Sequence, residues 1–177
     1  THPVGIPGNV EELNQMCLTV PEYITCLLKF QETCHPNDDH HSQRFRGILK
    51  LVNKICNEKS GLHKGVVEHL NCYKNTIQNV QGTCCEIARN IPVEAHISYG
   101  ERKCLRRTLG LSCLFAKLNQ KCGKKSVTVA LEVLGELKNT REICDEELLK
   151  KVLARLPNIA VDNETINHLQ SILTRLI

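Results

Sequence analysis

Apolar positions along this chain recur at intervals of three and four, the period of a helix with one buried face. The clearest case is Phe45, Ile48, Leu49, Val52, Ile55 and Cys56, one continuous stripe that predicts a helix from about His40 to Cys56. Val66, Val67, Leu70, Tyr73, Ile77 and Val80 predict another from about Leu62 to Val80, ended by Gln81-Gly82. Upstream, residues 1–8 hold two Pro and two Gly and read as an irregular lead-in. Asn9 with Glu12 three positions later forms a capping-box pattern that opens a short helix to about Cys17. Val20-Pro21 starts the next helix, with Ile24, Leu27 and Leu28 inward, and it runs to Cys34. Cys84 and Cys85 begin a helical turn that stops before Ile91-Pro92.

The second half repeats this texture. Val93 to Asn119 reads as one or two helices, with Gly100 or Gly110 as the interruption. Val127, Ala130, Leu131, Leu134 and Leu137 mark a further helix. Asp145 caps the next, with Leu148, Leu149, Val152, Leu153 and Leu156 in its stripe and Pro157 as its stop. Asp162 or Asn163 opens the last, whose apolar face is Ile166, Leu169, Ile172, Leu173, Leu176 and Ile177. Alternating strand patterns are nearly absent, Val127-Thr128-Val129 being the best of them. The expectation is an all-α fold of seven to nine helices.

The cysteines turn this helical text into two copies. Cys17, Cys26, Cys34 and Cys56 are separated by eight, seven and twenty-one residues; Cys104, Cys113, Cys122 and Cys144 are separated by eight, eight and twenty-one. We read a disulfide-stapled helical bundle built from two related cysteine-rich repeats, residues 9–92 and 93–177, forming one compact unit. A Cys pair eight positions apart on one helix lies about 12 Å apart along the axis, beyond the roughly 7 Å between Cα atoms that a bridge allows. Cys26 and Cys34 therefore do not bond to each other on one helix. A returning helix can bring Cys56 to Cys17 or Cys26, and Cys144 to Cys104 or Cys113. Cys72, Cys84 and Cys85 are extra to the repeat. Adjacent side chains diverge, so Cys84 and Cys85 are expected to tie two separate elements. The chain has 11 Cys, an odd number. Five disulfides leave one thiol, either buried or bridged to a second chain as a disulfide-linked homodimer.

Composition sets the compartment. Dense, spaced cysteines suit an oxidising environment, and Thr1-His2-Pro3-Val4-Gly5 has the look of a processed start, so the chain is expected to be secreted. No run of eighteen apolar residues is present, so no span is expected. The formal net charge of +4 comes from scattered basic residues, with Arg102-Lys103, Arg106-Arg107 and Lys124-Lys125 the only groupings. With three Tyr, three Phe and no Trp, stacking platforms for nucleic acid are lacking. Asn163-Glu164-Thr165 is a glycosylation sequon, so Asn163 is a candidate glycan acceptor.

Catalytic chemistry finds no constellation. His35, Asp38, Asp39, His40 and His41 are metal-ligand residue types in one loop, but they read better as a solvated interhelical turn. Ala88 stands three residues after Cys85, where secreted phospholipases with paired cysteines carry their histidine. Gly123-Lys124-Lys125-Ser126 lacks the upstream glycine of a phosphate loop. No cofactor is expected. The apolar stripe Ile166 to Ile177 reads as core packing rather than as a membrane face.

The order Cys17-x8-Cys26, Cys56, Cys72, Cys84, Cys104-x8-Cys113, Cys122 and Cys144, over residues 10–145, resembles the insect 27 kDa hemolymph glycoprotein family. The doubled Cys84-Cys85 and a C-terminal segment without Cys depart from it. The resemblance implies a secreted, non-enzymatic protein of body fluid or glandular secretion and offers no catalytic residue to carry over. The leading expectation is a binding protein of extracellular fluid that engages a protein partner or a small apolar ligand. The alternative is a venom or salivary effector, a toxin acting on a foreign channel, receptor or protease.

Overall fold

The computed structural model of the chain describes residues 5–35, 39–90, 97–137, 144 and 146–155. These form α1 (Val10–Cys34), α2 (Asp39–Cys56), α3 (Gly61–Asn90), α4 (Tyr99–Cys122), α5 (Lys124–Leu137) and α6 (Glu146–Arg155). No strand occurs among the described residues. The expected cap at Asp145, the last helix, its apolar stripe and Asn163 lie outside them.

Two expected boundaries vanish. Residues 9–17 and 20–34 are one helix, α1, with Pro21 inside it. Proline removes one helical hydrogen bond and crowds the carbonyl four residues back. The cost is borne because both sides of Pro21 are anchored: Leu13 and Ile24 are buried, and Cys17 is bridged to Cys56. Likewise α3 runs through Gly82 to Asn90. A mid-helix Gly costs only about 1 kcal/mol relative to Ala, and buried Cys84 and Ala88 hold the turns beyond it. α4 is also uninterrupted at Gly110, and it starts at a capping box that the periodicity did not reveal. The Ser98 hydroxyl accepts from the Glu101 backbone, and the Glu101 carboxylate accepts from the Ser98 N–H.

The chain divides into two compact units, residues 1–75 with 128–138, and residues 76–127 with 139–177. The division passes through two helices, since α3 and α5 each contribute residues to both units.

In the first unit α1 packs against α2. Leu13 of α1, Leu51 of α2 and Leu62, Val66 and Leu70 of α3 form the core, with Val129, Val133 and Leu137 of α5 packed against it. Leu51 lies outside the stripe read from the sequence, yet it is buried. α3 and α5 approach closely at Gly65, where an added Cβ would come within 2.7 Å of Val129 Cγ2. Lys74 of α3 donates to both carboxylate oxygens of Glu12 at 2.9 and 2.8 Å, and this holds the Glu12 carboxyl below its ordinary range. His63 at the start of α3 meets the Ile55 carbonyl at 2.7 Å, closing the α2–α3 turn.

Tyr73 is buried on α3, and burial, with the charge of Glu68, pushes its hydroxyl up to about 12 from 10.0. Between these values the folded state keeps a proton that the unfolded state has released, so this tyrosine weakens the fold as pH rises through the window. Tyr73→Phe is expected to flatten the loss of stability between pH 10.0 and about 12 relative to wild type. Urea unfolding at a series of pH values checks it, and parallel slopes would contradict the assignment.

In the second unit α4 packs against α6. The buried face of α4 is Cys104, Leu105, Thr108, Leu109, Ser112, Cys113, Phe115 and Leu118. Its hydroxyls are satisfied locally, Thr108 donating to the Cys104 carbonyl at 2.7 Å and Ser112 to the Thr108 carbonyl at 2.8 Å. Such back-bonding lets polar residues enter a core without an orphan donor.

Four disulfides form, not five. Cys17 pairs with Cys56, Cys84 with Cys113 and Cys104 with Cys144; Cys72 and Cys122 are also disulfide-bonded. The first and fourth positions of each ladder are thus joined in the same way. Cys26, Cys34 and Cys85 are free and exposed, so three thiols remain rather than one. Cys84 and Cys85 do not both tie elements: successive helical side chains diverge by about 100°, so when Cys84 meets α4, Cys85 turns to solvent. No helix among the described residues is long and apolar enough to cross a membrane. Both features are compatible with an extracellular protein.

Candidate functional site

The residues singled out in the first interhelical loop are described in part. His35 caps the end of α1, its backbone N–H donating to Gln31, and its ring lies edge-on to Phe30 with centroids 6.3 Å apart. Asp38 lies outside the described residues, whereas Asp39, His40 and His41 belong to the first turn of α2. No group of three or more His, Cys, Asp or Glu converges among the described residues. In the second loop Gly123 adopts φ 82° between α4 and α5, a conformation that favours glycine. Ser126 there is buried and donates to the Gly123 carbonyl at 2.7 Å, so its hydroxyl serves the turn.

A cleft of about 400 Å³ lies between α3 and α4 in the second unit. Its volume falls within the range of small-molecule sites, about 300–1,000 Å³. Cys84–Cys113 pins the two helices with Cα atoms 5.5 Å apart. The helices meet at Gly110, where an added Cβ would lie in ordinary contact, 3.6 Å from the Ala88 methyl and 3.9 Å from the Cys84 carbonyl. Ala88, Leu111 and Leu114 supply apolar walls, and the exposed thiol of Cys85 stands among the lining residues.

Arg89, Arg106 and Arg107 also line the cleft, and none of its lining residues is acidic. Arg106 donates to the Arg89 carbonyl at 3.3 Å. That carbonyl belongs to the last turn of α3, where carbonyls lack helical donors and the helix dipole favours a cation. The Nε–H of Arg107 is buried without a hydrogen-bond partner. The arrangement is an apolar slot bordered by three guanidinium groups. It suits a ligand with a hydrocarbon body and an anionic head, because the head gains charge-assisted hydrogen bonds while the body leaves water.

The larger hollow along α2, about 520 Å³ and lined by Arg46, Lys50 and Lys54, is a weaker candidate. Arg46 is bonded to Glu32 at 2.6 Å, and Lys54 is bonded to Glu136. Its polar wall belongs to one helix, and two of its three cations are already engaged. The sequence showed Arg106-Arg107 as a basic pair, but nothing in it placed that pair opposite Ala88 and Cys85, since the meeting depends on how two separate helices pack.

The chain matches no protein-family model, no curated protein and no solved structure.

Proposed function

We propose that this chain is a secreted, non-enzymatic binding protein that takes a small amphiphilic anion in the α3–α4 cleft. The cleft itself carries the reading: apolar walls and three arginines in about 400 Å³, with no acidic residue among those lining it. The ladder's likeness to the insect 27 kDa hemolymph glycoproteins, with the body-fluid role it implies, points the same way. Four disulfides suit an oxidising extracellular fluid, and Asn163 is the proposed glycan site on the secretory route.

A fluorescent long-chain alkyl carboxylate is expected to bind saturably, one per chain, and to slow alkylation of Cys85 by iodoacetamide. Replacing Arg106 and Arg107 together by Gln should weaken binding roughly tenfold, about 1.4 kcal/mol. Fluorescence titration with a matched alkyl alcohol separates head-group recognition from simple partitioning. Non-saturable uptake, or equal affinity of wild type and variant, would defeat the proposal.

A further inference from the structure

Helices α1 and α4 carry the same three rungs of the cysteine ladder, yet their burial differs sharply. α4 buries eight of its residues, whereas α1, at 25 residues, buries only Leu13 and Ile24. The contrast is sharpest at equivalent rungs. Cys113 is buried and bridged to Cys84 of α3, and Cys122 is also disulfide-bonded. Their counterparts Cys26 and Cys34 are exposed free thiols. The face that α4 presents to a neighbouring helix is uncovered on α1.

That face has the composition of an interface. Tyr23, Cys26, Phe30 and Cys34 follow one another at intervals of three, four and four, and so share one side of the helix. Tyr23 is 62% exposed and Phe30 57%. None of the four carries a charge; Lys29 and Glu32 fall on another side of the helix, and Glu22, four residues before Cys26, ends the uncharged run on its N-terminal side. Large exposed aromatics on an uncharged run of one helix face mark a contact surface.

The spacing selects the occupant. Cys26 and Cys34 lie four residues before and four after Phe30, along a single i±4 ridge. A ridge with this symmetry is complementary to its own copy when the two run antiparallel, as a two-fold axis requires. With the axis at Phe30, Cys26 of each chain faces Cys34 of the other. Helix axes about 8–10 Å apart, with Cα atoms about 2.3 Å from each axis, bring facing Cα atoms to roughly 4–5 Å, within disulfide reach. The molecule already makes such a bridge between packed helices, Cys17 to Cys56, at 5.5 Å.

We infer that α1 is the interface of a covalent homodimer, closed by two symmetry-equivalent disulfides, Cys26 to the second copy's Cys34 and the converse. Each bridge forms by thiol–disulfide exchange with a low-molecular-weight disulfide such as oxidised glutathione. One protein thiolate displaces a small thiol to give a mixed disulfide, and the facing protein thiolate displaces the second. The protein thiols release two protons and supply two electrons, and two small thiols leave with them. An intrachain Cys26–Cys34 bond does not compete, because the two lie about 12 Å apart along one helix.

The test is refolding of the full chain in a glutathione redox buffer, followed by non-reducing electrophoresis and mapping of cross-linked peptides. Wild type is expected to run as a dimer containing a Cys26–Cys34 cross-link. Because each bridge needs one cysteine of each kind, Cys26→Ser alone and Cys34→Ser alone should each abolish the covalent dimer. An equimolar mixture of the two variants should restore it through one bridge. Cys85→Ser should leave it intact, and circular dichroism should show all three variants as helical as wild type. A monomeric wild type, including one with both thiols capped by glutathione, would overturn the inference. So would a dimer that survives either single substitution, as in like-to-like pairing, or one lost with Cys85.

Discussion

Replacing Cys104 and Cys144 together by alanine is expected to cost the fold about 4 kcal/mol. The bridge closes a loop with a sequence separation of 40, and chain-entropy estimates assign about 4 kcal/mol to the unfolded-state freedom that such a loop loses. Both residues are almost fully buried, at 0% and 1% exposed, so their removal also opens a small cavity. Alanine is the better substitute here, since serine would place a hydroxyl in the same apolar site. The equivalent pair, Cys17 and Cys56, spans 39 residues and should cost a similar entropic amount. It is only half-buried, so its cavity contribution should be smaller. Against a total stability of about 5–15 kcal/mol, either loss is large. Chemical denaturation of each double variant measures it. A loss below about 1 kcal/mol for Cys104 with Cys144 would show that the bridge merely decorates a fold held by packing alone.

Leu13→Ala is expected to destabilise the first unit by about 3–4 kcal/mol, the scale of a fully enclosed leucine truncated to alanine. Leu13 is 0% exposed and shares a core cluster with Leu51 of α2 and Leu62, Val66 and Leu70 of α3, so two further helices border the vacated volume. Collapse into it is hindered by the Glu12–Lys74 ion pair and the Cys17–Cys56 bridge, which hold α1 on either side of Leu13. Leu18→Ala serves as the contrast. Leu18 lies five residues further along the same helix and is 69% exposed, so its truncation should stay within about 0.5 kcal/mol. Urea midpoints of the two variants decide the matter. Equal effects would mean that α1 is not oriented by Leu13.

The stripes of α2 and α3 were legible because their apolar residues keep helical period with few exceptions. Leu51 escaped because it sits beside the α2 stripe rather than within it, and its burial comes from α3 and α1 covering that flank. α4 was harder to read. Thr108 and Ser112 occupy its buried face, and a pattern argument counts them as polar; back-bonding to carbonyls one turn earlier makes them acceptable there. Local propensity marks Pro21 and Gly82 as boundaries, yet both lie inside helices. Local costs of about 1–3 kcal/mol yield when buried residues anchor the helix on both sides of the break. The cleft was not legible at all. Ala88, Gly110 and Arg106 carry no shared local signal, and their meeting follows from the way α3 and α4 are pinned by Cys84–Cys113.

The sequence by itself determined that the chain is helical, since hydrophobic period is a property of neighbouring positions. It also determined that Cys26 cannot bond Cys34 within one helix, because helical rise alone separates them. Which cysteines pair was decided only by tertiary structure. A disulfide needs two Cα atoms within about 7 Å and side chains directed at each other, and those conditions depend on which helix faces touch. Cys17 and Cys56 meet because α1 and α2 pack together, whereas Cys26, on a different side of α1, meets no thiol of its own chain. The same physics separates the two ladders: their spacings match within one residue and both bridge their first and fourth cysteines, but the second and third are bridged on α4 and free and exposed on α1.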